Sequence, residues 1–290
     1  MSPTAIRRTE FHCPGAQGQV LFRRAWLPIA AQRVVLLVHG FAEHSGRYQH
    51  FGAWFAERGC AVHAYDQRGH GRSSGPRCHV RRFADLLDDL EWLLCRVRDE
   101  HPGAPIHLVG HSMGGLVVAA LASERCPEVA SAATSAALLA ISSDQPRSKI
   151  LAARVLRRVA PRLGLDAGVD PDDLSGDPEV GRAYVEDPLV QRKMSVSLAV
   201  ELLNAVGRTA SAGGEVRIPM LVLHGERDRI APIEGSRRFF AGLVHPRKRF
   251  LSYPELRHEI FNEPEHETVF EDLLDWMAGG AGEAVASPPG

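Results

Sequence analysis

Short apolar runs alternate with longer stretches of helical periodicity along the 290 residues. The runs at 19–26 (QVLFRRAW), 33–38 (RVVLLV), 60–65 (CAVHAY), 106–111 (IHLVGH), 136–142 (AALLAIS), 218–225 (IPMLVLHG) and 247–253 (RKRFLSY) have the length and composition of strands. Between them the pattern predicts helices near 47–58, 81–100, 112–125, 232–243 and 264–277. The second is the most regular: Phe83, Leu86, Leu87, Leu90, Leu93, Leu94 and Val97 recur at three- and four-residue steps and form one apolar face. Buried strands alternating with helices imply βαβ units. The expected fold is therefore α/β, a mostly parallel doubly wound sheet with helices on both faces.

The alternation breaks between about residues 145 and 210, where no core strand is evident and charge segregates. Residues 147–162 carry six basic residues and no acid, whereas 166–187 carry eight acids against the single Arg182. This predicts a core made of 1–144 and 211–277, with 145–210 inserted as a helical cap laid over the sheet. The Gly/Ala/Pro-rich segment 278–290 reads as a disordered tail. No internal repeat is visible.

Composition narrows the function. Lys and Arg number 34 against 35 Asp and Glu, a net charge of -1, which argues against nucleic acid as the main partner because phosphate neutralisation calls for a basic excess. The five cysteines are odd in number and widely spaced, without a CxxC pair, so they suggest neither a disulfide framework nor a zinc module and fit a reducing compartment. The N-terminal MSPTAIRRTEFHCPG lacks an apolar core of signal-peptide length, and no apolar run approaches the ~20 residues that cross a bilayer. The chain reads as soluble and cytoplasmic.

Gly110-His111-Ser112-Met113-Gly114-Gly115 follows an apolar strand and precedes LVVAALASE, a good helix. G-x-S-x-G between a strand and a helix is the nucleophile elbow, where small flanking residues permit a strained turn that lifts the serine hydroxyl above the sheet edge. Taken alone, the stretch also fits a plain Gly-rich connection. A serine hydroxyl needs a general base and a group that orients the base.

Fourteen histidines compete for that role. His12, His50, His101 and His245 lie in polar or turn contexts that suggest solvation. His39, His70 and His111 adjoin glycines, where packing or hydrogen bonding is expected. His258 follows the last strand and so falls at the carboxyl edge of a doubly wound sheet, the same edge as Ser112. Asp228, in LVLHGERDRIAP, follows the preceding strand, and the order Ser112, Asp228, His258 is the one this fold uses. Asp144 and Glu226 are the rival acids. The oxyanion donors are expected from the backbone N–H groups of Met113 and of Phe41, the latter in the loop after RVVLLV. The stretch HEIFNEPEH lacks H-E-x-x-H spacing and contains Pro264, so zinc is not expected; Gly69-His70-Gly71 lacks a full phosphate-binding fingerprint.

With these residues in view, the chain resembles the monoacylglycerol lipase and lysophospholipase-like branch of the α/β-hydrolases. The similarity runs in order through HGFAEHSGRY (39–48), AYDQRGHGRSSG (64–75), GHSMGG (110–115), DPLV (187–190), HGERDRIAP (224–232) and HEIFNEP (258–264). It implies a serine esterase that cleaves single-chain acyl esters, most simply monoacylglycerols, without metal or organic cofactor, under a mobile cap that forms an acyl tunnel. Lysophospholipase and broad carboxylesterase activities are the alternatives, and a non-catalytic scaffold on the same fold is a third. Family contacts to glycerol map onto Glu43 and Arg47, for which a structural ion pair is the other reading. Phe41 stands where animal lipases often carry a small residue, and Phe261 where they place a polar histidine.

The first part of the cap is amphipathic. Ala152, Val155, Leu156, Val159 and Leu163 share a face opposite Arg147, Arg154, Arg157 and Arg158. Such a helix can lie on anionic lipid, giving peripheral membrane contact, or pack on the core with its arginines solvated. In either case its apolar face is expected to line the acyl pocket.

Overall fold

The computed structural model describes residues 5–141 and 147–279. Eight strands form one sheet: β1 (Arg7–Pro14), β2 (Val20–Leu27), β3 (Arg33–Val38), β4 (Cys60–Tyr65), β5 (Ile106–His111), β6 (Ser131–Ser135), β9 (Met220–Gly225) and β10 (Lys248–Tyr253). Their order is β1-β2-β4-β3-β5-β6-β9-β10. Strand β2 pairs antiparallel with β1 and β4, and every other pairing is parallel.

Five helices pack on the sheet: α1 (Gln49–Glu57), α2 (Ala84–Glu100), α3 (Met113–Glu124), α7 (Ile233–Gly242) and α8 (His266–Ala278), the last following the final strand. The two-residue period of β3 divides the core. Val34, Leu36 and Val38 face Leu90 and Leu93 of α2, Leu116 of α3 and Phe239 of α7. Val35 and Leu37 join the other layer, with Phe51 and Phe55 of α1 and Phe270 and Trp276 of α8. With both faces covered, β3, β4, β5 and β9 are mostly apolar, with buried histidines as the main exceptions, which is why they read as nearly continuous runs. Between β6 and β9 lie α4 (Arg147–Val159), β7 (Gly164–Asp166), α5 (Pro178–Glu186), β8 (Lys193–Ser195) and α6 (Val196–Thr209), with β7 and β8 paired as a small antiparallel ribbon.

Two expectations need correction. The strand expected at 136–142 is instead β6, made of the smaller residues SAATS. Register decides this, since Ala132 pairs with Met220 and Thr134 with Val222, and the chain leaves the sheet at Ala136 with φ 46°. The apolar run that follows is a buried connection: a Cβ at Gly115 of α3 would lie 2.8 Å from the Ala137 Cβ, and one at Gly235 of α7 would lie 2.5 Å from the Leu139 carbonyl carbon. Strand β1 gave no hydrophobic signal because it is a mostly exposed edge.

Helix α8 runs to Ala278 and ends on Gly279 at φ 88°; the rest of the expected tail, 280–290, lies outside the described residues, as does Asp144. No helix among the described residues is long and apolar enough to cross a membrane.

Candidate active site

Ser112 stands between β5 and α3 with φ 52° and ψ −115°, a backbone conformation that costs a non-glycine residue roughly 1–3 kcal/mol. The flanking glycines make this turn sterically feasible. A Cβ at Gly110 would meet the Gly114 carbonyl oxygen at 2.3 Å, and one at Gly40 would meet the Ser112 Cβ at 3.2 Å. The elbow therefore presses directly on the loop after β3.

The Ser112 hydroxyl donates to His258 Nε2 at 2.9 Å, and His258 Nδ1 donates to Asp228 Oδ2 at 2.8 Å. An ionised carboxylate only accepts, so Asp228 fixes the tautomer in which Nε2 is free to take the serine proton. Asp228 is itself held in place: its Oδ1 accepts from the backbone N–H groups of Ile230 and Ala231 at 2.8 and 2.9 Å. Burial disfavours a charge on Asp228, but His258 and His224 keep its carboxyl well below the usual carboxylate range. Burial likewise works against a charge on His258, and the Asp228 carboxylate outweighs it, so the imidazole pKa stands above its usual value. Glu226, the other rival acid, accepts instead from the Ser252 hydroxyl at 2.7 Å.

Sequence reasoning missed His224, which lies on β9 four residues before Asp228. Its Nε2 stands 2.9 Å from the Ala231 carbonyl oxygen and 3.2 Å from Asp228 Oδ2, while Nδ1 is 2.9 Å from the Ser236 hydroxyl. It braces the same carboxylate oxygen that His258 engages. The available signal was its position at the end of a buried strand, where an imidazole needs partners.

Of the two expected oxyanion donors, Phe41 lines the cavity at Ser112, and Met113 follows Ser112 directly at the start of α3. Neither the Phe41 N–H nor the Met113 N–H has a protein acceptor among the described residues, and Met113 opens α3, whose N-terminal dipole favours negative charge. The Phe41 loop is pinned from behind. His39 Nδ1 donates to the Gly40 carbonyl at 2.7 Å, and its Nε2 accepts from the Gln67 N–H at 2.8 Å. His39 and His111 are buried and neutral. Burial, the leading cause in both, pushes each down to about 3, so their roles are hydrogen bonding and packing.

Glu43 and Arg47 form a network beneath the site. Glu43 Oε1 accepts from the Gly40 N–H at 2.5 Å and from the Tyr48 hydroxyl at 2.7 Å, and Arg47 grips Glu259 at 2.5 and 2.9 Å while reaching Glu43 at 3.3 Å. Burial pushes the Glu43 carboxyl up to about 7 despite the neighbouring Arg47. Glu43 borders the Ser112 cavity, whereas Arg47 lines a neighbouring one with His50 and Asn262. The structural ion pair is present, and Glu43 through Gly40 also holds the Phe41 loop.

The cavity above Ser112 measures about 170 Å³ and is lined by Phe41, Leu138, Val169, Leu174, Tyr184, Met194 and Ile230 among others. No residue of α4 contributes to it, contrary to expectation: Leu151, Val155 and Val159 are exposed, at 64, 56 and 78%. The helix turns Arg157 inward instead, to Glu201 on α6 at 2.6 Å.

Two histidines expected in solvent are engaged. His50 Nε2 donates to the Phe261 carbonyl at 2.7 Å, and His101 Nε2 lies 2.8 Å from His63 Nε2. His63, Glu100 and His101 form the one group with metal-ligand spacing among the described residues. Arg23 Nη2, which can only donate, lies 2.6 Å from His63 Nδ1. His63 must therefore carry its proton on Nε2, pointing at His101, and the group is a hydrogen-bond chain that a cation would have to break.

A sheet of this topology with a serine at the β5 elbow and acid and base on the loops after β9 and β10 defines an α/β-hydrolase. The chain belongs to the family described as serine aminopeptidase, S33 (Hydrolase_4), whose profile matches residues 29–265. It is 34% identical to the monoacylglycerol lipase of Mycolicibacterium smegmatis, over 93% of this chain and 97% of that one. It is 32% identical to human monoglyceride lipase, over 96% and 93%. The crystal structure of Paleococcus ferrophilus monoacylglycerol lipase superposes with a TM-score of 0.77 at 32% identity, covering 96% of this chain and all of the other.

Proposed function

We propose that this chain is a serine esterase that hydrolyses monoacylglycerols, with Ser112 as nucleophile, His258 as general base and acid, and Asp228 as the group that orients His258. His258 takes the Ser112 proton as the oxygen attacks the ester carbonyl. The Phe41 and Met113 N–H groups receive the developing oxyanion, and His258 returns the proton to the departing glycerol. Water, deprotonated by the same imidazole, then cleaves the acyl-enzyme and releases the fatty acid. Residues 145–210 act as the cap, and Glu43 contributes by holding the oxyanion loop.

This reading rests on one observation: Ser112 and His258 of the Ser112–His258–Asp228 relay line a cavity whose wall is mostly apolar, with Glu43, His111, Tyr184 and Glu259 as its other polar groups. The similarity to monoacylglycerol lipases favours glycerol as the leaving alcohol. At about 170 Å³ the cavity is smaller than the roughly 300–1,000 Å³ of ligand pockets, so a long acyl chain enters only when the cap shifts. The exposed apolar stripe of α4 supplies the surface on which that shift takes place: Leu151, Val155 and Val159 rest on the lipid that holds the substrate.

The test is hydrolysis of a medium-chain monoacylglycerol, lysophosphatidylcholine and a series of p-nitrophenyl esters by the wild type and Ser112→Ala. Turnover of the monoacylglycerol that vanishes in the variant, with the fold retained, supports the assignment. Activity surviving in Ser112→Ala overturns the nucleophile, and preference for acetyl esters over monoacylglycerol overturns the substrate.

A further inference from the structure

A second concavity lies beside the cap, apart from the chemistry. It measures about 540 Å³, shares no lining residue with the Ser112 cavity, and is bordered by four arginines, Arg68, Arg81, Arg82 and Arg162, against the single carboxylate of Asp85. Two of the four are neutralised. Arg68 binds Asp89 at 2.6 Å and Arg82 binds Asp85 at 2.8 Å. Arg81 and Arg162 are exposed and make no ion pair with a carboxylate among the described residues. His79, also on the wall, is half-buried, and its pKa is pushed down first by burial and then by Arg162 and Arg157, a sign of the unbalanced positive field there.

The position of this cavity relative to α4 gives it meaning. Arg157 of α4 donates to the Arg81 carbonyl at 2.9 Å while paired with Glu201, which fixes the last turn of the helix against the loop that bears Arg81. Arg162 leaves that turn directly. Val159, Leu163 and Leu165, flanking Arg162 in the chain, are all exposed, at 78, 47 and 43%. An apolar rim and an uncompensated guanidinium pair thus adjoin one another, which matches the acyl-to-phosphate order of a lipid surface. Planar guanidinium groups also suit the geometry of phosphate oxygens.

We propose that the Arg81–Arg162 cavity is a binding site for the headgroup of an anionic phospholipid, engaged when the apolar stripe of α4 enters the bilayer. The proposal rests on the reading that α4 meets a membrane and specifies the lipid it meets. The bound lipid is an anchor, not a substrate, because its cavity does not reach Ser112. It would hold the cap against the surface from which substrate is drawn.

The experiment is co-sedimentation of the full chain with phosphatidylcholine vesicles and with vesicles that also contain phosphatidylglycerol. The expected result is tighter binding to the anionic vesicles, lost on Arg81→Gln/Arg162→Gln by about fivefold per charge, with binding to phosphatidylcholine alone unchanged. Hydrolysis of soluble p-nitrophenyl butyrate should be unaffected in that variant, which shows the fold intact. Arg154→Gln/Arg158→Gln removes the same charge from α4 outside the cavity; an equal loss there overturns the site in favour of a diffuse field. Glycerol 3-phosphate bound in solution as tightly as the vesicles overturns the lipid as occupant. Val155→Ser/Val159→Ser tests the underlying reading separately: if that change leaves binding to phosphatidylcholine vesicles intact, membrane contact through α4 fails whatever the arginines do.

Discussion

A Cβ at Gly114 would lie 2.2 Å from the Val38 carbonyl oxygen, a separation no side chain tolerates. The first turn of α3 therefore sits directly on the end of β3. The Phe41 loop that leaves the same strand lines the cavity at Ser112, the residue that precedes Met113 at the start of the helix. The spacing of the proposed oxyanion donors, Phe41 and Met113, is thus tied to the lack of a side chain at Gly114.

Gly114→Ala should displace α3 from β3, since the clash is with backbone at both Val38 and His39 and no rotamer can relieve it. The expected cost is about 3 kcal/mol or more in stability, read by denaturant unfolding, together with loss of ester turnover. A soluble variant with wild-type kcat would show that the donor spacing does not depend on this contact.

Ser112→Gly separates strain from chemistry. Glycine accepts φ 52° without penalty, so the variant should lose turnover yet be more stable than the wild type by about 1 kcal/mol or more, with a raised unfolding temperature. Ser112→Ala keeps the strain and should show little of that gain. Differential scanning calorimetry of the two variants distinguishes them.

Most of the sheet was legible in the sequence because parallel strands covered on both faces leave mostly apolar runs, interrupted chiefly by buried histidines such as His63 and His107. The exceptions have physical causes. Strand β1 is an exposed edge with few apolar positions, and β6 is built of Ser, Ala and Thr, so the more apolar buried connection after it drew the assignment. The relay residues were readable because chain order and the strand edge constrain them, while His224 was hidden as one histidine among many. The burial of α4 was not readable. Amphipathic periodicity gives two faces without saying which one turns inward, and here Arg157 turns in while Val155 and Val159 face solvent.

The Ser112 cavity predicts an acyl-length limit that can be moved. Met194→Trp places a larger ring on its wall, in a space of about 170 Å³. Chain-length profiling should show kcat/KM falling about tenfold or more for long esters and little for butyryl, because a loss of roughly 1–3 kcal/mol of apolar contact grows with each excluded methylene. A uniform loss across all lengths would place Met194 away from the chain.

Glu43 and Glu259 share Arg47, and their pKa values move apart, giving two stability windows. Burial raises the Glu43 value from 4.5 to about 7, so the folded protein binds the extra proton and stability falls as pH rises between those values, by at most about 3 kcal/mol. Burial opposes the Glu259 charge, but Arg47 lowers its value, so its contribution is lost only as pH falls below 4.5. Glu43→Gln keeps acceptors for the Gly40 N–H and the Tyr48 hydroxyl but cannot titrate. Its unfolding midpoint should therefore stay flatter than that of the wild type between about pH 5 and pH 7. Parallel curves for the two proteins would move the titration elsewhere.

The last prediction concerns the pH dependence of catalysis. In the proposed mechanism His258 acts only as the neutral base, and the Asp228 carboxylate raises its pKa above 6.5 against the effect of burial. Raising the pKa preserves the inactive imidazolium to higher pH, so the acid limb of kcat/KM should lie above 6.5. Asp228→Asn removes the charge while burial remains, so the limb should move below 6.5 even as kcat falls by orders of magnitude from loss of the tautomer. Asp228 keeps its charge throughout this range, because His258 and His224 depress its own pKa, so Asp228 itself adds no ionisation to the limb. The measurement is the pH profile of kcat/KM on a soluble ester for both proteins. An acid limb that stays in place in Asp228→Asn would mean that another group, and not His258, accepts the Ser112 proton.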